Sequence, residues 1–172
     1  MRNMQVRGMD IKHNQIDQRT FWRLVGQRAV GVSLVTAQDE DGPAGFLGLS
    51  ATHLSADPPL MLVSVDHKTS ALATMRNAGH FAINYLPKGA QELADIFGGK
   101  AGISGRARFA HGDWVPGSTG APLLRGAVGS LECRIEDTLA REGVTIAIGR
   151  VVDFTLAEAT EPLIFFQGRY LP

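Results

Sequence analysis

A single cysteine, Cys133, stands among 172 residues. An intramolecular disulfide is therefore impossible, and so is any zinc site built on paired cysteines; a reducing, cytoplasmic compartment is expected. Charge of one sign is also missing. Lys plus Arg and Asp plus Glu are balanced at 17 each, so no long-range field draws the chain to nucleic acid or to an anionic membrane. No apolar run is long enough to cross a bilayer, and the polar start, MRNMQVRGMDIKHNQ, lacks the apolar centre of a signal peptide. It reads as an arm over residues 1–16, either free or wrapped on a partner subunit. The familiar chemistry signatures are absent: there is no GxGxxG after a strand, no GxxxxGKS or GxxxxGKT, no HExxH and no GxSxG. The five histidines are scattered, so no metal centre is expected.

What remains fits one domain, over 17–172, with length enough for a core that needs no staples. Asp17 caps a short amphipathic helix in which Phe21, Leu24 and Val25 share a stripe, expected to pack on a sheet. Gly31–Ala37 is β-branched and apolar, and the turn-forming QDEDGP after it implies a hairpin with a second strand at Phe46–Ser50. Strands are further expected at Leu60–Val65, Phe81–Leu86, Ala127–Leu139, Val144–Phe154 and Leu163–Phe166. Short helices are expected at Ser70–Ala78, capped by Thr69 or Ser70 and stopped at Gly79, and at Gln91–Phe97. Lys100–Gly120, rich in Gly, Arg and Ser, reads as a long loop or flap with Trp114 as its anchor. Strands this numerous, with helices that do not alternate with them, favour a mainly β protein built as a closed or nearly closed antiparallel barrel.

The chain is organised around Gly45–Ala71. Asp57-Pro58-Pro59 forms a corner, because a Pro pair donates no backbone hydrogen bonds. The strand after it discharges into Asp66-His67-Lys68-Thr69-Ser70, which gathers hydroxyls, an ammonium and backbone amides where a helix begins. This loop has two readings: a capped polar turn, or a cradle for a phosphate or other anion. Gly48-Leu49-Ser50-Ala51 likewise marks either close packing or bare backbone on which a flat ring can lie. The Gly98–Gly105 run follows a helix with the wrong spacing for a phosphate loop, and reads as a flap.

In their combined order these pieces resemble the flavin reductase-like family, whose fold is the FMN-binding split β-barrel. The matching residues are the GVSLVTA strand, Gly45 to Ser50, Leu54-Ser55-Ala56-Asp57-Pro58-Pro59-Leu60, Asp66 to Ser70, Phe81 to Leu86, Glu132-Cys133-Arg134, Ile148 to Val152 and Pro162 to Phe166. The resemblance implies a homodimer with FMN near the interface and NAD(P)H as electron donor. It places Gly48, Leu49, Ser50 and Ala51 against the flavin ring, Asp66, His67, Lys68, Thr69 and Ser70 at its ribityl chain and phosphate, and Phe97 at its flank. Two positions depart from the family pattern: Leu47 replaces a common Thr, and Val144 a His found near the nicotinamide.

The implied reaction is hydride transfer from nicotinamide to flavin and on to an acceptor. That acceptor is free flavin serving a two-component monooxygenase, or the cobalt of cob(II)yrinic acid a,c-diamide, as in the corrin reductase branch of cobalamin biosynthesis. Because the cofactor carries the chemistry, no catalytic side chain is expected. The alternative is a non-reductase, flavin-binding or heme-handling protein on the same barrel.

Overall fold

The computed structural model describes residues 16–158 and 160–172. All but the last residue of the expected arm lies outside them. Helix α1, Gln18–Val25, begins where its cap signal stands: the Asp17 carboxylate accepts a hydrogen bond of 2.7 Å from the Thr20 amide. That bond holds the Asp17 carboxyl below its ordinary range. The apolar stripe of α1 does not pack on a sheet as expected. Phe21, Trp22, Leu24 and Val25 are all exposed, Trp22 by 61%.

Among the described residues twelve strands follow in chain order: β1 Val30–Gly31, β2 Ser33–Asp39, β3 Gly42–Leu47, β4 Thr52–Ala56, β5 Pro59–Asp66, β6 His80–Tyr85, β7 Trp114–Pro116, β8 Pro122–Leu124, β9 Gly129–Arg141, β10 Val144–Leu156, β11 Ile164–Phe166 and β12 Arg169–Tyr170. Helices α2, Ala71–Ala78, and α3, Gln91–Phe97, occupy the expected positions, and Gly79 ends α2 in the left-handed conformation. Seven strands form one antiparallel sheet in the order β3-β2-β6-β9-β10-β5-β4. Its edge strands, β3 and β4, are joined by residues 48–51 alone, a link that spans at most about 17 Å even when fully extended. The sheet must therefore curl until its edges approach, which makes the mainly β fold a split barrel.

Several elements differ from expectation: the run expected as one strand over 31–37 divides into β1 and β2 at Val32, whose amide donates to the Leu163 carbonyl, and β4, β7, β8 and β12 are short strands without an expected counterpart. The second strand runs over 42–47 rather than 46–50: the Gly48 amide still donates to the Ser33 carbonyl, but the Gly48 carbonyl turns to the Ser33 hydroxyl and leaves the ladder there, each bond being 2.8 Å. Strand β4 has no hydrophobic alternation, being exposed at four of its five positions, so periodicity gave no sign of it. The proline corner turns through a cis Asp57-Pro58 bond, and Pro59 opens β5 opposite Ala56.

Strand β2 is buried on both faces. Val35 and Ala37 join Val63, Phe81, Cys133 and Met75 in one core cluster, while Leu34 joins Leu86, Phe97, Leu124 and Leu163 in a second. Between the elements lies a satisfied polar network: Asn84 accepts from the Leu124 amide and the Ser130 hydroxyl and donates to Thr36. Glu132, also buried, accepts from the amide and hydroxyl of both Ser118 and Thr119, locking the turn between β7 and β8.

Candidate functional site

A cleft of about 720 Å³ opens between the end of β3, the loop after β5, the end of α3 and the Gly-rich loop that follows α3. One wall is apolar, formed by Phe46 and Leu47 with Phe97; the other carries Asp66, Lys68, Thr69 and Ser70, with Gly98, Ser104, Gly105 and Arg108 at the rim.

The polar wall is shaped by the loop's own hydrogen bonds. The Asp66 carboxylate accepts from the Lys68 amide at 2.8 Å and the Asp66 carbonyl from the Thr69 amide at 3.0 Å, a turn that Asp favours. Ser70 occupies the N-cap position of α2 but makes no side-chain capping bond, and Thr69 reaches the Ala71 amide only at 3.4 Å. The capped-turn reading is thus only half met. The start of α2, with its positive end of the helix dipole, faces the cleft beside the Lys68 ammonium.

Arg108 supplies a second cation. Its Nε donates to the Ile103 carbonyl at 3.0 Å and its Nη1 to the Gly45 carbonyl at 2.9 Å, so the guanidinium is held in place from both sides of the rim. Phe97 is itself buried, packed against Phe109 and Trp114 with ring centroids 5.2 and 5.5 Å away. Phe109 and Trp114 complete the triangle at 5.0 Å. Lys100–Gly120 is not the continuous loop expected: Gly105–Ala110 forms a 3-10 helix and Trp114–Pro116 is β7, paired with β8, while Trp114 does seat the segment on the cleft wall.

Of the residues singled out from the sequence, the structure brings Asp66, Lys68, Thr69, Ser70 and Phe97 to this cleft. Gly48, Leu49, Ser50, Ala51 and His67 are outside its lining. A Cβ on Gly48 would lie 2.6 Å from a Val35 methyl, so close packing by itself requires this glycine. Leu49 and Ala51 pack on the two core clusters, and the Ser50 hydroxyl bridges the amide and carbonyl of Ser64. His67 reaches the opposite way. Its amide donates to the Gly143 carbonyl at 2.9 Å and its imidazole meets the Thr145 hydroxyl at 2.9 Å, which Arg76 also reaches at 3.3 Å. The loop is thereby tied to the β9–β10 hairpin next to Val144.

Ser104 and Arg108 were not foreseen as site residues. The only local sign was a pair of arginines beside Phe109 in a Gly- and Ser-rich run; nothing in the spacing connects residue 108 to residue 68.

The family description "Flavin reductase like domain" matches residues 25–172, and the chain belongs to that family. FMN reductase (NADH) RutF of Pseudomonas syringae pv. syringae (strain B728a) is 31% identical over 155 residues, 90% of this chain and 86% of its own. The reductase subunit HsaB of a flavin-dependent monooxygenase from Rhodococcus jostii (strain RHA1) is 30% identical over 155 residues, 90% of this chain and 77% of its own. Among solved structures, the Streptomyces globisporus NADH:FAD oxidoreductase SgcE6, in complex with NAD and FAD fragments, superposes with a TM-score of 0.83 at 31% identity, covering 91% of this chain and 92% of that one.

Proposed function

We propose that the chain is an NADH-dependent flavin reductase that binds FMN in this cleft. The observation that carries the reading is the cleft's pairing of an apolar wall with a polar, cationic one: Phe46, Leu47 and Phe97 on one side, Lys68 and the start of α2 on the other, with Arg108 as a second cation at the rim. A flat ring with a phosphorylated tail has that same pairing, so the residues present fit the group. FMN, when bound, supplies the hydride-accepting ring and the route of electrons onward. Lys68, Thr69, Ser70 and Arg108 bind and orient its phosphate; the apolar wall excludes water from the ring. Asp66, bonded back to its own loop, holds Lys68 at the polar wall. Gly48, Leu49, Ser50, Ala51 and His67 keep a supporting part in this reading, since they fix the β3–β4 link and the loop on which the wall is built. No side chain of the cleft is assigned a proton.

The electron acceptor we propose is free flavin, passed to a partner monooxygenase component; the relative HsaB is by name the reductase subunit of a flavin-dependent monooxygenase. A homodimer is part of the same reading. Val152, Phe154 and Leu156 on the end of β10 are 44%, 66% and 78% exposed, an apolar strip that a second copy would cover.

Anaerobic mixing with NADH, followed by visible absorbance, tests the reaction. Bleaching of bound flavin with fast transfer to added free flavin is the expected result. Transfer only to a cob(II)alamin-type corrinoid would move the acceptor to the corrin branch, and no bleaching would overturn the reductase reading. Titration of Lys68→Ala tests the phosphate wall: loss of one charge-assisted bond should weaken FMN about tenfold and riboflavin little. Equal losses for the two ligands would remove Lys68 from that role.

A further inference from the structure

The rim of the cleft is the segment 98–108, a Gly-rich loop that runs into a 3-10 helix at Gly105–Ala110, and the structure shows what holds it. At its far end Arg108 is bonded to the Ile103 and Gly45 carbonyls. At its root the bonds converge on one oxygen: Oδ1 of Asp95, in the last turn of α3, accepts from the Tyr170 hydroxyl at 2.9 Å and from the Lys100 ammonium at 3.0 Å. The Lys100 amide also donates to the Asp95 carbonyl at 3.0 Å, and the Lys100 ammonium lies 5.2 Å over the Tyr170 ring. Tyr170 belongs to β12, at the opposite end of the chain, and is backed by Phe165 at 5.4 Å.

We propose that Tyr170 and Asp95 are positioning residues for the cleft: together with Lys100 they form a latch that holds the 98–108 loop, and with it Ser104 and Arg108, over the bound flavin. Neither side chain lines the cleft, so their effect on a ligand passes through the loop. The Lys100–Asp95 ion pair alone would contribute little, because Lys100 is 61% exposed and water screens it. The Tyr170 hydrogen bond is the stronger half. It comes from a donor that stays protonated, since burial first and the neighbouring carboxylate second raise the phenol above its ordinary value. Bonds from Lys100 and Tyr170 hold the Asp95 carboxyl below its usual range, which keeps the acceptor charged.

The inference about FMN rests on the proposed function, whereas the latch itself can be read without any ligand. Tyr170→Phe removes one hydroxyl and keeps the ring under Lys100; Asp95→Asn keeps the shape and removes the charge. In limited trypsin digestion of the ligand-free protein, followed by mass spectrometry, both variants should be cut after Lys100 about ten- to a hundredfold faster than the parent, the worth of about one hydrogen bond to a charged group. Cutting at Arg106 and Arg108, in the same segment, should quicken as well, whereas cutting at Lys and Arg sites outside 98–108 should be unchanged. In parallel, FMN release followed by flavin fluorescence should quicken by a similar factor. Parental cutting rates in both variants would overturn the latch. So would acceleration spread over all sites, since that reports global loss of stability rather than release of one loop. If the parent does not bind FMN at all, the functional reading fails, and the digestion still decides whether the latch exists.

Discussion

Replacing Glu132 with Gln changes one buried atom from acceptor to donor and tests the clamp that seats Trp114 behind the cleft. In the native protein Oε1 accepts from the Ser118 amide at 3.0 Å and hydroxyl at 3.2 Å, and Oε2 from the Thr119 amide at 2.7 Å and hydroxyl at 2.6 Å. A Gln at this position keeps one accepting oxygen and presents an NH2 group to the other pair. The hydroxyl of that pair can rotate to accept; the backbone amide cannot. Ser118 is the more exposed partner, so the NH2 group should turn toward it and leave its amide to water, the least costly arrangement. The remaining bonds fall from charge-assisted to neutral strength, and the variant should lose roughly 1.5–3 kcal/mol of folding stability. For a domain of this size that is about 3–12 °C in melting temperature. Urea unfolding followed by tryptophan fluorescence measures it, with the slope of the transition unchanged. Gly117→Ala attacks the same clamp from the other side, because its Cβ would stand 2.5 Å from the Glu132 carboxylate. The double variant should therefore lose less than the sum of the two single losses. A Glu132→Gln protein within about 0.5 kcal/mol of the parent, or strict additivity with Gly117→Ala, would refute the reasoning.

Cys133 should be inert in the folded chain. Burial, and less strongly the neighbouring Glu132, pushes its thiol up to about 12 from an ordinary 9.0, so a disulfide reagent at pH 8 should react only after urea is added. Stability held by the neutral thiol should be complete below pH 9.0 and be lost as pH rises toward about 12. Cys133→Ser should unfold more easily yet keep its turnover; lost turnover with intact flavin binding would contradict a packing role. Phe154→Glu with Leu156→Glu should turn the proposed dimer into a monomer in sedimentation velocity, and an unchanged sedimentation coefficient would show that this strip is not the subunit contact.

Much of this protein was decided by local chemistry and was legible in the residues themselves. Asp17 and Gly79 mark helix ends, the β-branched run in Gly31–Ala37 forms a strand that is buried on both faces from Ser33 to Ala37, and the polar loop at Asp66–Ser70 lies where an apolar strand gives way to a helix. The mainly β class, both core-facing helices and the polar wall of the cleft follow from such signals, which act over a few residues. The tertiary structure alone decided what depends on contacts between distant segments. Strand β4 carries no alternation and exists because β5 pairs with it. The stripe of α1 has the pattern of a packed helix and stays exposed, since periodicity says that a face is apolar but not what covers it. Gly48 was legible as a special backbone position; only the Val35 methyl beside it shows that packing alone accounts for it. Arg108 and Tyr170 gave no local sign of their contacts, because each acts through a partner 63 or 75 residues away, and spacing over such distances carries no geometric information until the barrel has closed.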